Sequence, residues 1–226
     1  MKQALQTQSQ PAIIRKWPAN ANGKVKTYNF ALPPAEVTRL RQTITSLEGR
    51  LEQQASIIAT LAEKASHDSL TGLLNRRGME VVLNDAVTNY HRYGHTGALL
   101  MLDLNLFKHV NDTYGHPAGD AMLRHVAAAL QACTRSTDSL SRLGGDEFMV
   151  FLVEANTSQA LTMARRLRHY LEENPLHWEG TNLTSTLSIG IATLTEAPSM
   201  PQLVELADSR MYRFKQALKQ VFKAAR

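Results

Sequence analysis

The chain has 226 residues, 43% hydrophobic and 20% charged, the balance of a soluble globular protein with room for one domain and an appendage. Its single cysteine, Cys133, excludes an internal disulfide, and no run approaches the roughly 18 consecutive apolar residues of a membrane span. The net charge of +5 equals the contribution of Lys2, Arg15, Lys16, Lys24 and Lys26, and residues 1–34 carry no acid, so the remainder is neutral in sum. A basic excess spread that thinly is a solvated tail and not a nucleic-acid site.

In chain order, residues 1–34 form a polar, basic segment with a hairpin signal around the Asn-Gly of "NANGKVKTYNF". Its start, MKQALQTQSQPAII, lacks the apolar core and small-residue cleavage site of a secretory signal, which with the lone cysteine predicts a cytoplasmic protein. Residues 35–66 carry a heptad pattern. Val37, Ile44, Leu51 and Ile58 fall at one core position, and Leu40, Leu47, Gln54 and Leu61 at the other. β-Branched residues at a with leucine at d favour a parallel two-stranded stalk, and Glu36 and Arg41 sit where charges pair between chains. Packing of the same stripe on the chain's own domain is the alternative.

From residue 67 onward strands alternate with helices. Apolar runs predict strands over 96–104, 148–153 and 184–194, and 3.6-residue periodicity predicts helices over 76–92, 119–133, 157–173 and 201–224. Asp120 is placed to cap the second helix. The Gly144-Gly145 pair turns 139–153 back on itself, so the expected fold is an α+β sandwich, within the broader α/β class, on a mainly antiparallel sheet. Two acidic points fall at strand ends: Asp103 closes "ALLMLDL", and Asp146 with Glu147 opens "FMVFLV". If those strands are neighbours the carboxylates converge, and hard divalent cations take one or two such carboxylates plus substrate phosphates. Lys108, Asn111, His116 and Asp120 follow Asp103 in a segment able to neutralise phosphate and hydrogen-bond a purine edge. Each alone is an ordinary surface polar residue.

Five ordered blocks make the pattern specific: "HDSLTGLLNRRG" (67–78), "LDLNLFKHVNDTYGHPAGD" (102–120), "RSTDSLSRLGGDEF" (135–148), "TLSIGIA" (186–192) and "ADSRMYRFK" (207–215). Together they resemble the GGDEF domain of bacterial diguanylate cyclases, and residues 67–226 are identified with it. The resemblance implies a sheet like that of adenylyl cyclases and polymerase palms, and condensation of two GTP into cyclic di-GMP and two pyrophosphates. It implies Mg²⁺, with Mn²⁺ as an alternative, held by Asp103, the Leu104 carbonyl and Asp146 with support from Glu147. Asp146 is the implied proton acceptor. Asn111 and Asp120 would read guanine, His116 would lie near the base or ribose, and Lys108, Lys215 and Lys219 would meet the triphosphate. Gly144 and Gly145 would let the nucleotide approach the turn. Arg135 and Asp138, joined by Arg166, match the family's product-inhibition site.

Two positions depart from the family pattern. Asn105 replaces a frequent aspartate, and "LKQ" (218–220) replaces the usual Gly-Arg-Asn, so Lys219 must serve for an arginine as a point charge without its planar fork. The short stalked layout is similar to SiaD-type cyclases, which implies a homodimer through the stalk and a regulatory protein on the stalk helix. Two other classes compete: a non-catalytic cyclic di-GMP receptor, disfavoured by the intact acids, and a coiled-coil adaptor, which leaves both acidic points unused.

Overall fold

The computed structural model describes the backbone at residues 14–16, 27–29 and 32–224, and side chains at 32–58, 65–218 and 220. It divides into two compact units, Met1–Ala59 and Thr60–Arg226.

In the first unit, strands β1 (Ile14–Lys16) and β2 (Thr27–Asn29) pair antiparallel. This is the expected hairpin, although its Asn-Gly turn lies outside the described residues. The helix α1 (Pro34–Ser66) starts at a proline, whose missing N–H costs nothing in the first turn, and Glu36 supplies the acid favoured there. Leu40, Ile44, Leu47, Leu51 and Ile58 are all exposed along it.

The second unit is built on a four-stranded antiparallel sheet ordered β4-β5-β3-β8, comprising β3 (Gly97–Leu104), β4 (Ser139–Gly144), β5 (Glu147–Val153) and β8 (Leu187–Thr193). The central strand β3 is buried at every position, because helices cover both faces. Ala98, Leu100, Leu102 and Leu104 share one core with Met122, Val126 and Leu130 of α4 (His116–Ala132) and Met163 and Leu167 of α5 (Thr157–Glu173). Leu99 and Met101 point the other way, to Met79 and Leu83 of α2 (Arg76–Tyr93) and Leu203, Ala207 and Met211 of α6 (Met200–Ala224).

The helix caps explain the boundaries. Asn75 accepts from the Gly78 amide to start α2, and Asn156 and Gln159 form a reciprocal capping box on α5. The expected cap at Asp120 is corrected: α4 begins four residues earlier at His116, after Gly115 turns the chain at φ 82° and with Pro117 in the first turn. Asp120 therefore lies inside the helix. Two elements were not anticipated from sequence, the short helix α3 (Phe107–Tyr114) and the hairpin of β6 (Leu176–Trp178) with β7 (Thr181–Leu183). Among the described residues no helix is long and apolar enough to cross a membrane.

Candidate active site

Strand alternation brings the acids together. Asp103 and Glu147 are directly paired across β3 and β5, and Asp103 pairs with Ser188 on its other side, so all three share the face of Leu99 and Met101. The turn between Gly144 and Glu147 consists of Gly145, at φ 53°, and Asp146. Its positive φ is the reason a glycine stands there. The Leu104 amide donates to the Asp146 carbonyl at 3.1 Å, tying the end of β3 to this turn.

Asp103 is only 5% exposed. A carboxylate so buried demands a counter-charge, and α6 delivers it: Lys215 Nζ donates to both carboxylate oxygens, at 2.7 and 2.6 Å. Burial pushes the Asp146 carboxyl above its ordinary range, and the Asp103 carboxylate pushes the same way, while Lys215 and Arg142 oppose both. Glu147 also faces the open side of the domain, lining a cavity of about 440 Å³ between α2 and α6. Among the described residues no three His, Cys, Asp or Glu side chains gather into a metal cluster.

Beyond Asp103 the chain turns at Asn105 and Leu106 into α3, which carries Lys108 and Asn111. Gly115 then folds α3 against α4, which carries His116 and Asp120. The corner is tight, since a methyl group on Gly119 would overlap the Asn111 side-chain oxygen. Lys108, His116 and Asp120 are exposed and Asn111 is half-buried. The side chain of Lys219 lies outside the described residues.

The acidic turn has a support that sequence reasoning missed. Arg142 donates from Nε and Nη2 to the Gly145 carbonyl at 3.0 and 2.8 Å, and from Nη1 to both oxygens of Asp68 at 3.2 and 3.1 Å. Burial pushes the Asp68 carboxyl up, but donors from Thr71 and Arg142 outweigh it and hold the group below its usual value. Asp68 and Thr71 stand in the "HDSLTG" block and Arg142 two residues before Gly144, so the signal was in the matched blocks but no spacing rule joins them.

Arg135, Asp138 and Arg166 line one cavity of about 200 Å³, together with Gln159 and Thr162 of α5. Asp138 accepts from the Arg135 amide at 2.9 Å and from the Val153 amide at 3.3 Å, which closes the "RSTD" turn against the end of β5. Among the described residues no ion pair joins the two side chains of Arg135 and Asp138. Arg166 donates to the Cys133 carbonyl, holding α5 to the end of α4.

A sheet with this acidic end, a basic helix laid across it and a guanidinium-braced glycine turn matches known proteins. The chain belongs to the GGDEF family: residues 65–220 match the model described as diguanylate cyclase, GGDEF domain. Diguanylate cyclase A of Treponema denticola is 35% identical over 160 residues, covering 69% of this chain and 43% of that protein. The chain spans less than half the length of such curated relatives. Among solved structures, the diguanylate cyclase SiaD of Pseudomonas aeruginosa, in complex with its activator SiaC, superposes with a TM-score of 0.66 at 28% identity, covering 81% of this chain and 70% of that one. The coiled coil and GGDEF domain of DgcB from Caulobacter crescentus, in complex with c-di-GMP, gives 0.71 at 26% identity, covering 79% and 95%.

Proposed function

We propose that this protein is a diguanylate cyclase that condenses two GTP into cyclic di-GMP, releasing two pyrophosphates, in the cytoplasm. The observation that carries the proposal is the convergence at one sheet end of Asp103 and the turn residue Asp146, whose carbonyl accepts from the Leu104 amide, with the Lys215 ammonium on Asp103. Lys215 is a stand-in cation there. Two carboxylates and the Leu104 carbonyl form an all-oxygen donor set suited to Mg²⁺, or to Mn²⁺ as the alternative, with Glu147 beside them. When bound, such an ion supplies charge neutralisation at the phosphates and acidifies the attacking hydroxyl. The protein's own groups do the rest. Asp146, whose carboxyl is held above its usual value, accepts the proton of a ribose 3′-hydroxyl as that oxygen attacks the α-phosphate of the other nucleotide. Lys108, Lys215 and Lys219 meet the triphosphate, Gly144 and Gly145 admit it close to the turn, and His116 lies near the base or ribose.

Asn111 and Asp120 read guanine, since a carboxylate accepts from both of its edge donors and adenine offers no such pair. Each protomer holds one GTP, so two active sites must face each other, and the exposed heptad residues of α1 supply a homodimer contact. A regulatory protein gripping that helix is the route proposed for control. The cavity of Arg135, Asp138 and Arg166 takes the product and inhibits the enzyme. A second role, cyclic di-GMP reception without catalysis, uses the same cavity.

Incubation with GTP and Mg²⁺ followed by nucleotide analysis decides between the two. The expected outcome is cyclic di-GMP and pyrophosphate, reduced about a hundredfold or more in Asp146→Ala with unfolding unchanged. Product binding without turnover supports reception, and near-wild-type turnover in Asp146→Ala removes that residue from catalysis.

A further inference from the structure

The turn joining β3 to α3 is built in an unfavourable way. Leu106 adopts the left-handed conformation, at φ 60° and ψ 18°, although it has a side chain and is 69% exposed. Neither glycine freedom nor burial of the leucine holds it there. Leu106 is also the N-cap of α3, and no side chain caps that helix. The first amides of α3, including that of Lys108, are therefore left for an outside acceptor.

What holds the turn is the residue before it. The Asn105 amide donates to the Thr186 carbonyl at 2.9 Å. Its side-chain Nδ2 donates to Thr186 Oγ1 at 3.2 Å, and its Oδ1 accepts from Ser188 Oγ at 2.7 Å. Ser188 is fully buried and is paired across the sheet with Asp103. On the far side, the Val110 amide closes the first turn of α3 on the Leu106 carbonyl at 3.2 Å. The strained residue is thus gripped from both sides, and the grip on the strand side belongs to Asn105. A side chain bonded to the hydroxyls of Thr186, just before β8, and of Ser188, within it, fixes where β3 ends, and so where the α3 residue Lys108 is set.

We infer that Asn105 is a positioning residue for the nucleotide's phosphates: its bridge to Thr186 and Ser188 holds the strained turn that aims Lys108 and the uncapped start of α3. The phosphate role rests on the cyclase proposal, but the clamp itself does not.

The test compares the parent protein with Asn105→Ala and Asn105→Asp by hydrogen exchange over residues 103–114 without ligand, thermal unfolding, titration with a non-hydrolysable GTP analogue in Mg²⁺, and steady-state kinetics. Asn105→Ala is expected to speed exchange at residues 106–110 alone and leave the melting temperature nearly unchanged. It is expected to weaken analogue binding and raise KM about tenfold, with kcat far less affected. Asn105→Asp, which still accepts from Ser188 and can accept from the Thr186 hydroxyl, is expected to restore most of both. Unchanged exchange at 106–110 in Asn105→Ala overturns the clamp. Faster exchange with unchanged analogue affinity and KM overturns the positioning role. If the parent binds no analogue while exchange behaves as expected, the cyclase proposal and the phosphate role fall together and the clamp stands.

Discussion

The helix α1 and the GGDEF domain use the same helical periodicity and finish differently. In the domain, the apolar stripes of α2, α4, α5 and α6 close against a sheet whose central strand is buried throughout. In α1 the stripe stays open: Leu40, Ile44, Leu47, Leu51 and Ile58 are 47%, 53%, 50%, 64% and 65% exposed. The domain completes its own hydrophobic burial, whereas five large apolar side chains of α1 are left exposed, and these are the ones the proposed homodimer would cover.

The comparison breaks first at the core. Phe148 is fully buried at the centre of the domain, so Phe148→Ala should cost about 3–5 kcal/mol. Thermal unfolding of the full chain is expected to show the loss, while light scattering below the melting temperature should report the same oligomeric state as the parent. A next, smaller effect lies in the stalk. Ile44→Glu, Leu51→Glu and Ile58→Glu together should leave the domain's melting temperature in place and cut cyclase activity about tenfold or more at low protein concentration, with partial recovery at high concentration. Light scattering should show monomers. A persistent dimer with full activity would mean the stalk is not the assembly device.

The smallest effect sharpens the domain side. Arg210 hydrogen bonds hold the Glu196 carboxyl below its ordinary value, with Nη2 to Oε1 at 2.8 Å, against a smaller upward push from burial. A depressed folded-state value stabilises the protein above the ordinary glutamate range, and that share is lost as pH falls through the folded value. Both side chains are about one-third exposed, at 34% and 35%, so screening keeps the contribution below about 1 kcal/mol. Melting curves should place Glu196→Gln slightly below the parent at neutral pH, and the gap should close in acid.

Periodicity carried most of the fold. The helix over 157–173 falls where the pattern placed it, and the antiparallel return of 139–153 follows from its glycines. The pattern placed no helix over α3 and started the next one at 119, three residues late. Gly115 in fact breaks two helices apart there, and the true start of α4 is set by that glycine and Pro117 instead of by Asp120. Residue types named the acids of the site, but contact across 112 positions, as between Asp103 and Lys215, has no periodic signature. The same holds for Asn105, whose partners lie 81 and 83 residues away, and for Arg142 reaching Asp68 across 74. Such contacts depend on which strands become neighbours, and local sequence does not encode that.

Gly190 has no functional group, yet it governs the reach of one. A methyl group there would overlap the Ala207 carbonyl and the Met211 amide, so α6 lies with its backbone directly against β8. Lys215 stands one helical turn beyond Met211 and extends from that close seat to Asp103. The spacing between helix and strand is therefore a gauge block: thickening it by a single carbon would lift the ammonium away from the carboxylate, and the proposed cyclase activity would be lost through a position outside the proposed substrate and metal sites.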